Sequence, residues 1–185
     1  SYGKTTTKEV LALILATKFS VVKTPEHQNS EIGIARTILH DVKEGHDVFV
    51  CEMGAYNKGG IKYLSGIAQP TIGVISGVNE QHLATFGSIE NLYSAEGGEE
   101  LVQSLSQDSA VIMNADSVKL REIGERAGVK NIWVSRHGTA DLFAEKIRVE
   151  KDRVTFTVSS QGEKAQCSIQ MIGVHNIENV LLAMA

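Results

Sequence analysis

Apolar positions along this chain switch repeatedly between two periods. From Thr5 to Phe19, Ala, Leu, Val and Ile recur at helical spacing, which predicts an amphipathic helix. Ser20–Lys23 predicts a short strand and Thr24–Glu31 a polar loop. Ile32–Lys43 predicts a helix with Ile34, Ile38 and Leu39 on one face. Asp47–Glu52 is a mostly apolar run of strand length that ends in an acid. Gly59–Ala68 predicts a short helix, Thr71–Ser76 a buried strand and Glu90–Ser106 a helix. Ala110–Met113 predicts a strand, Ser117–Ala127 a helix and Asn131–Val134 a further strand. Continuous apolar strands alternating with helices require cover on both faces, which is the pattern of a parallel sheet.

After Gly138 the period changes to two. Phe143–Val149, Arg153–Ser159 and Lys164–Ile172 alternate in and out around turn-forming Glu150-Lys151-Asp152 and Gln161-Gly162. Residues 139–172 therefore predict an antiparallel β-meander appended to the parallel sheet, followed by a helix over Asn176–Ala185. The fold class is α/β, a mostly parallel sheet flanked by helices.

Composition narrows the setting. The 185 residues are 42% hydrophobic and 22% charged, enough for one globular domain with a full core. A formal net charge of −4 offers no basic face for nucleic acid or an anionic membrane. No apolar run reaches membrane-spanning length, and no signal peptide precedes the first helix. Cys51 and Cys167 have no metal-ligand spacing and suit a reducing compartment, so a cytoplasmic protein is expected. The chain opens inside a motif at Ser1 and closes inside an apolar helix at Ala185, as a piece of a longer protein would.

That opening motif is Gly3-Lys4-Thr5, the closing half of a phosphate-binding loop of the type G-x-x-x-x-G-K-[ST]. In a P-loop sheet, backbone N–H groups at a helix start surround the phosphates, the Lys reaches the β/γ oxygens, and the hydroxyl coordinates Mg²⁺. The same residues would also serve a plain helix start with a Thr cap and a surface Lys. Ligands of open parallel sheets sit outside the carboxyl ends of the strands. Glu52 falls at such an end, as a Mg²⁺ ligand or as an ordinary cap. Asn79-Glu80-Gln81-His82 follows the Thr71–Ser76 strand, and His82 is either functional or a helix-start His.

Six blocks then occur in order. They are Gly3-Lys4-Thr5-Thr6-Thr7-Lys8-Glu9, Asn29-Ser30-Glu31-Ile32-Gly33, Glu52-Met53-Gly54-Ala55, Asn79-Glu80-Gln81-His82-Leu83, Gly87-Ser88-Ile89-Glu90-Asn91 and Gly173-Val174-His175-Asn176-Ile177-Glu178-Asn179. Their order and spacing resemble the central, ATP-binding domain of the Mur ligase family across the whole of residues 1–185. The resemblance implies an ATP- and Mg²⁺-dependent amide ligase of peptidoglycan precursor synthesis. Its nearest branch joins D-alanyl-D-alanine to a UDP-muramoyl-tripeptide through an acyl phosphate. By position, Gly3, Lys4, Thr5 and Thr6 would hold the phosphates, and Thr5 and Glu52 would ligate Mg²⁺. His82 would help to hold a second Mg²⁺, and Asn179 and Asn176 would lie against adenine. Asn29 and Ser30 resemble the family's substrate-side loop, or form a polar turn.

Three departures stand out. Tyr56-Asn57-Lys58-Gly59-Gly60 replaces a stretch in which many relatives carry a His and a Glu. The family's N-terminal UDP-binding and C-terminal domains are absent, so the isolated residues are expected to lack ligase activity. Glu96 stands where the family usually has a carbamylated lysine, and either supplies the missing carboxylate to the second metal or marks a degraded site. Two alternatives therefore remain: a related ligase acting on another acceptor, and a nucleotide-binding pseudo-ligase that serves as a scaffold.

Overall fold

Val111 and Met113 point to one face of their strand and Ile112 to the other, and all three are buried. That double burial is what a strand in the middle of a covered sheet requires. The structure, a computed structural model, describes residues 3–77, 93–94, 98–138, 140–171 and 173–185. Its elements run α1 (Lys4–Leu15), β1 (Val21–Lys23), α2 (Glu31–His40), β2 (Val48–Val50), α3 (Gly60–Ala68), β3 (Ile72–Ile75) and α4 (Glu99–Ser104). They continue with β4 (Ala110–Asn114), α5 (Val118–Glu125), β5 (Lys130–Ser135), β6 (Leu142–Val149), β7 (Val154–Ser160), β8 (Glu163–Ile169) and α6 (His175–Met184).

The strands form two sheets. β1 and β2 pair in parallel, and a second sheet has the order β3-β4-β5-β6-β7-β8. In the latter, β3 through β6 are parallel, and β6-β7-β8 is the expected antiparallel meander. The meander is not a separate layer. Val154, Phe156 and Val158 of β7 share a core with Ile112, Val134 and α6. α6 is buried on most of its surface, with Ile177, Leu181 and Leu182 fully inside, so it joins the meander to the parallel strands. On the opposite face α4 and α5 cover β3 and β4 through Val102, Leu120 and Ile123.

β2 and β3 do not pair. A cavity of about 620 Å³ lies between them, lined by Val48 to Cys51, by Ile72 to Ile75, and by Leu11 and Leu15 of α1. No strand among the described residues fills this gap. The gap opens beside Lys4, Thr7 and Lys8.

Several boundaries differ from the sequence expectation. α1 stops at Leu15, not Phe19, because the Thr17 hydroxyl donates to the Ile14 carbonyl (2.7 Å) and turns the chain. α6 begins one residue early, at His175. Of the helix expected over Glu90–Ser106, α4 accounts for Glu99–Ser104 and Leu105 is already extended. Residues 95–97 and most of the preceding stretch lie outside the described residues. α4 has a role the sequence did not suggest. α3 starts behind Gly59, which has no side chain to cap it, and the Glu100 carboxylate accepts from Gly59 N (2.6 Å) and Lys62 N (3.1 Å) instead. A buried anion at a helix N-terminus satisfies orphan N–H groups and matches the helix dipole.

Candidate functional site

The site begins at Gly3, the N-cap of α1, with a left-handed φ of 80°. A Cβ there would lie 2.1 Å from Asn179 Oδ1, so only glycine lets the loop rest on α6. From Gly3 the chain turns directly into α1, which places Lys4, Thr5 and Thr6 on the first helical turn. This is where backbone N–H groups are free for an anion. Thr7 and Lys8, on the next positions, point inward and are buried.

Glu52 follows β2 and is only 7% exposed. Its Oε1 accepts from the Thr5 hydroxyl at 3.1 Å and from Asn29 Nδ2 at 3.3 Å. Its Oε2 is buried and accepts no hydrogen bond, while Lys8 Nζ stands 3.4 Å away at ion-pair separation. The Glu52 N–H donates to Thr24 Oγ1 at 3.0 Å. The start of α1 and the Glu52 carboxylate are thus brought together. Asn29 joins them, and its carbonyl also accepts from Gly54 N (2.9 Å). Ser30 acts as the N-cap of α2 instead, accepting from Gly33 N, which suits the polar-turn alternative for that residue.

Asn179 and Asn176 stand behind the loop. Asn179 Oδ1 accepts from the Thr7 hydroxyl (3.4 Å), and Asn179 Nδ2 donates to Asn176 Oδ1 (3.2 Å). The relationship displayed is support of the loop from below, with Asn179 4% exposed. His82 and Glu96, with the Asn79–Leu83 and Gly87–Asn91 blocks, lie outside the described residues.

Sequence reasoning missed Lys8, Thr24 and Glu100. Lys8 carried a signal: it lies one helical turn from Ala12, on the buried face of α1, where a charge needs a partner. Thr24 and Glu100 carried none, since their partners come from other elements. Two ionisable groups near the site are displaced. The Lys23 ammonium, hydrogen-bonded to Glu9, holds the Glu9 carboxyl below its ordinary range, with burial opposing and Lys8 assisting. Burial, and then the adjacent Glu52, push the Cys51 thiol up to about 12, so this cysteine is no nucleophile at neutral pH.

A Mg²⁺ ion fits this donor set. In octahedral coordination with bonds of roughly 2.0–2.1 Å, neighbouring oxygens stand about 3 Å apart, and Mg²⁺ is commonly bound by one or two carboxylates together with phosphates and waters. The Thr5 and Glu52 oxygens already have that separation. Among the described residues there is no cluster of three His, Cys, Asp or Glu side chains that could hold a metal ion.

A glycine-started helix facing a carboxylate at a parallel strand end defines a phosphate-loop nucleotide-binding α/β domain. The chain belongs to the Mur ligase middle domain family, whose model matches residues 1–185. It is 33% identical over 186 residues to the UDP-N-acetylmuramoyl-tripeptide–D-alanyl-D-alanine ligase of Mycobacterium tuberculosis, covering all of this chain and 36% of that one. MurF from Acinetobacter baumannii superposes with a TM-score of 0.91 at 27% identity, over all of this chain and 40% of that one. MurF ligase from Thermotoga maritima, solved in complex with ADP, superposes at 0.89 with 26% identity, covering 100% and 42%. The chain thus spans roughly two fifths of the length of these relatives. No helix among the described residues is long and apolar enough to cross a membrane.

Proposed function

We propose that the protein containing this chain is a cytoplasmic, ATP- and Mg²⁺-dependent ligase that joins D-alanyl-D-alanine to a UDP-muramoyl-tripeptide. The observation that carries this reading is the Thr5–Glu52 pair at the mouth of the phosphate loop. The names of the relatives supply the substrate class.

Transfer of a γ-phosphoryl group asks for alignment and charge neutralisation more than covalent help from the protein. Lys4 and the N–H groups of the first turn of α1 hold the phosphates, and Gly3 lets the chain approach them. Thr5 and Glu52 would hold Mg²⁺, which when bound would neutralise charge on the phosphate oxygens. A carboxylate oxygen of the tripeptide attacks the γ-phosphorus and ADP leaves. The dipeptide amine then attacks the acyl carbon, releasing phosphate and a proton as the amide forms. His82 and Glu96 would hold a second metal ion, which would supply charge neutralisation to the acyl phosphate. Asn176 and Asn179 are assigned to the adenine side, and Asn29 to the acceptor side.

The test is ADP release by the whole protein. Release that requires both the UDP-muramoyl-tripeptide and D-alanyl-D-alanine, and disappears in Lys4→Ala, is expected. Release with another acceptor would favour a related ligase. Nucleotide binding without release under any combination would favour the scaffold reading that Glu96 raises.

A further inference from the structure

Lys8 is a buried charge that the phosphate chemistry leaves unused. It is 4% exposed and sits one helical turn beyond Lys4, pointing into the domain. Removing an ammonium from water costs several kcal/mol unless its donors are met. Here one hydrogen bond and two ion pairs compensate it, from partners in three elements. Nζ donates to the Thr24 carbonyl at 2.9 Å and stands 3.4 Å from both Glu52 Oε2 and Glu9 Oε1. Glu9 in turn pairs with Lys23 at the end of β1. Thr24 is fully buried, donates its N–H to the Val50 carbonyl, and accepts from Glu52 N. One side chain of α1 therefore gathers the tips of β1 and β2 beneath the phosphate loop.

We infer that Lys8 is a positioning residue for Glu52: it anchors Oε2, so that Oε1 is left facing the Thr5 hydroxyl. A glutamate side chain has several rotatable bonds, and a ligand oxygen is useful only within a narrow distance of the metal. Anchoring the far oxygen from α1 makes the Glu52 carboxylate move with the helix that carries Lys4 and Thr5. The inference rests on the proposed metal role of Glu52. It also has a definite sign. A lysine that was merely a neighbouring charge would repel a divalent cation, and neutralising it would tighten metal binding. A positioning lysine does the opposite, and its loss loosens metal binding.

The test uses the whole protein bound to ADP, with Mn²⁺ as the probe and free Mn²⁺ read by electron paramagnetic resonance. Groups that orient a metal ligand are typically worth about 10–100-fold in metal affinity, so Lys8→Met is expected to weaken Mn²⁺ binding at least about tenfold. Metal-free ADP affinity is expected to stay at the parental value. Glu52→Gln is expected to weaken Mn²⁺ binding as well, and adding Lys8→Met to it to change nothing further. A merely structural lysine would lower thermal stability in both backgrounds without this non-additivity. Lys8→Gln, which keeps a donor for the Thr24 carbonyl, provides a second neutral variant should Lys8→Met fail to fold, with the same loosening expected. Parental or tighter Mn²⁺ binding in a folded Lys8 variant, while Glu52→Gln binds weakly, overturns the role of Lys8 alone. Parental Mn²⁺ binding in Glu52→Gln overturns the metal reading beneath it.

Discussion

Thr5 and Glu52 are 47 residues apart in the chain, yet the Thr5 hydroxyl donates to Glu52 Oε1 across 3.1 Å. On the proposed function the pair would offer two oxygens to a Mg²⁺ ion, and Lys4 lies on the same helical turn as Thr5. Lys4→Ala should weaken ATP·Mg²⁺ binding by about 1.5–3 kcal/mol, the scale of a charge-assisted hydrogen bond, and abolish acyl-phosphate formation. Thr5→Val should spare metal-free nucleotide binding and raise the half-saturating Mg²⁺ concentration. Nucleotide titrations with and without Mg²⁺ measure both effects. Unchanged affinity and turnover in Lys4→Ala would be incompatible with a phosphate loop.

Gly3 combines a left-handed φ with contact against Asn179. Gly3→Ala therefore incurs backbone strain of about 1–3 kcal/mol together with a clash, and should lower the melting temperature and weaken nucleotide binding. Asn179→Ala in the same chain removes the clash but not the strain, so it should restore part of the lost melting temperature. A double variant no better than Gly3→Ala would show that relief of the clash with Asn179 does not govern the loss.

Cys51 governs an alkaline window. Its folded-state value is raised from 9.0 to about 12, mainly by burial. Folding thus favours the protonated thiol, and this contribution is fully present below the unfolded value. It is lost progressively as pH rises from about 9 toward 12. Denaturant melts across that range should show falling stability in the parent and a shallower fall in Cys51→Ala. Equal slopes would remove Cys51 as the cause.

Glu96 presents the charge of a carbamylated lysine without the need for CO₂. As a second-metal ligand it predicts turnover indifferent to bicarbonate, loss of most activity in Glu96→Gln, and bicarbonate-dependent recovery in Glu96→Lys. Assays in CO₂-depleted buffer with and without bicarbonate measure this. Parental turnover in Glu96→Gln would assign Glu96 no metal role.

The alternation of apolar strands and helices was legible because burial on both faces leaves a periodic trace, and the change to period two at Phe143 announced the meander. Lys4, Thr5 and Glu52 were legible for a different reason: a strand tip and a helix start are recognisable, and such ends converge in a parallel sheet. What the chain concealed is pairwise and long-range. Nothing local to Glu100 says that it caps α3, and nothing local to Thr24 says that its hydroxyl receives Glu52 N. The end of α1 was misplaced because Thr17 bonds backward to Ile14, a choice that helical periodicity does not record. The gap between β2 and β3 divides into two sheets what the strand pattern alone presents as one.

On the proposed function, this domain activates a carboxylate by phosphorylation from ATP. Label transfer tests it most directly: the whole protein is supplied with ATP, D-alanyl-D-alanine and a UDP-muramoyl-tripeptide carrying ¹⁸O in its reacting carboxylate. Attack of that carboxylate on the γ-phosphorus moves one labelled oxygen onto phosphate for each amide bond made, and mass spectrometry of the released phosphate should find it. Amide formation accompanied by unlabelled phosphate would contradict the acyl-phosphate route.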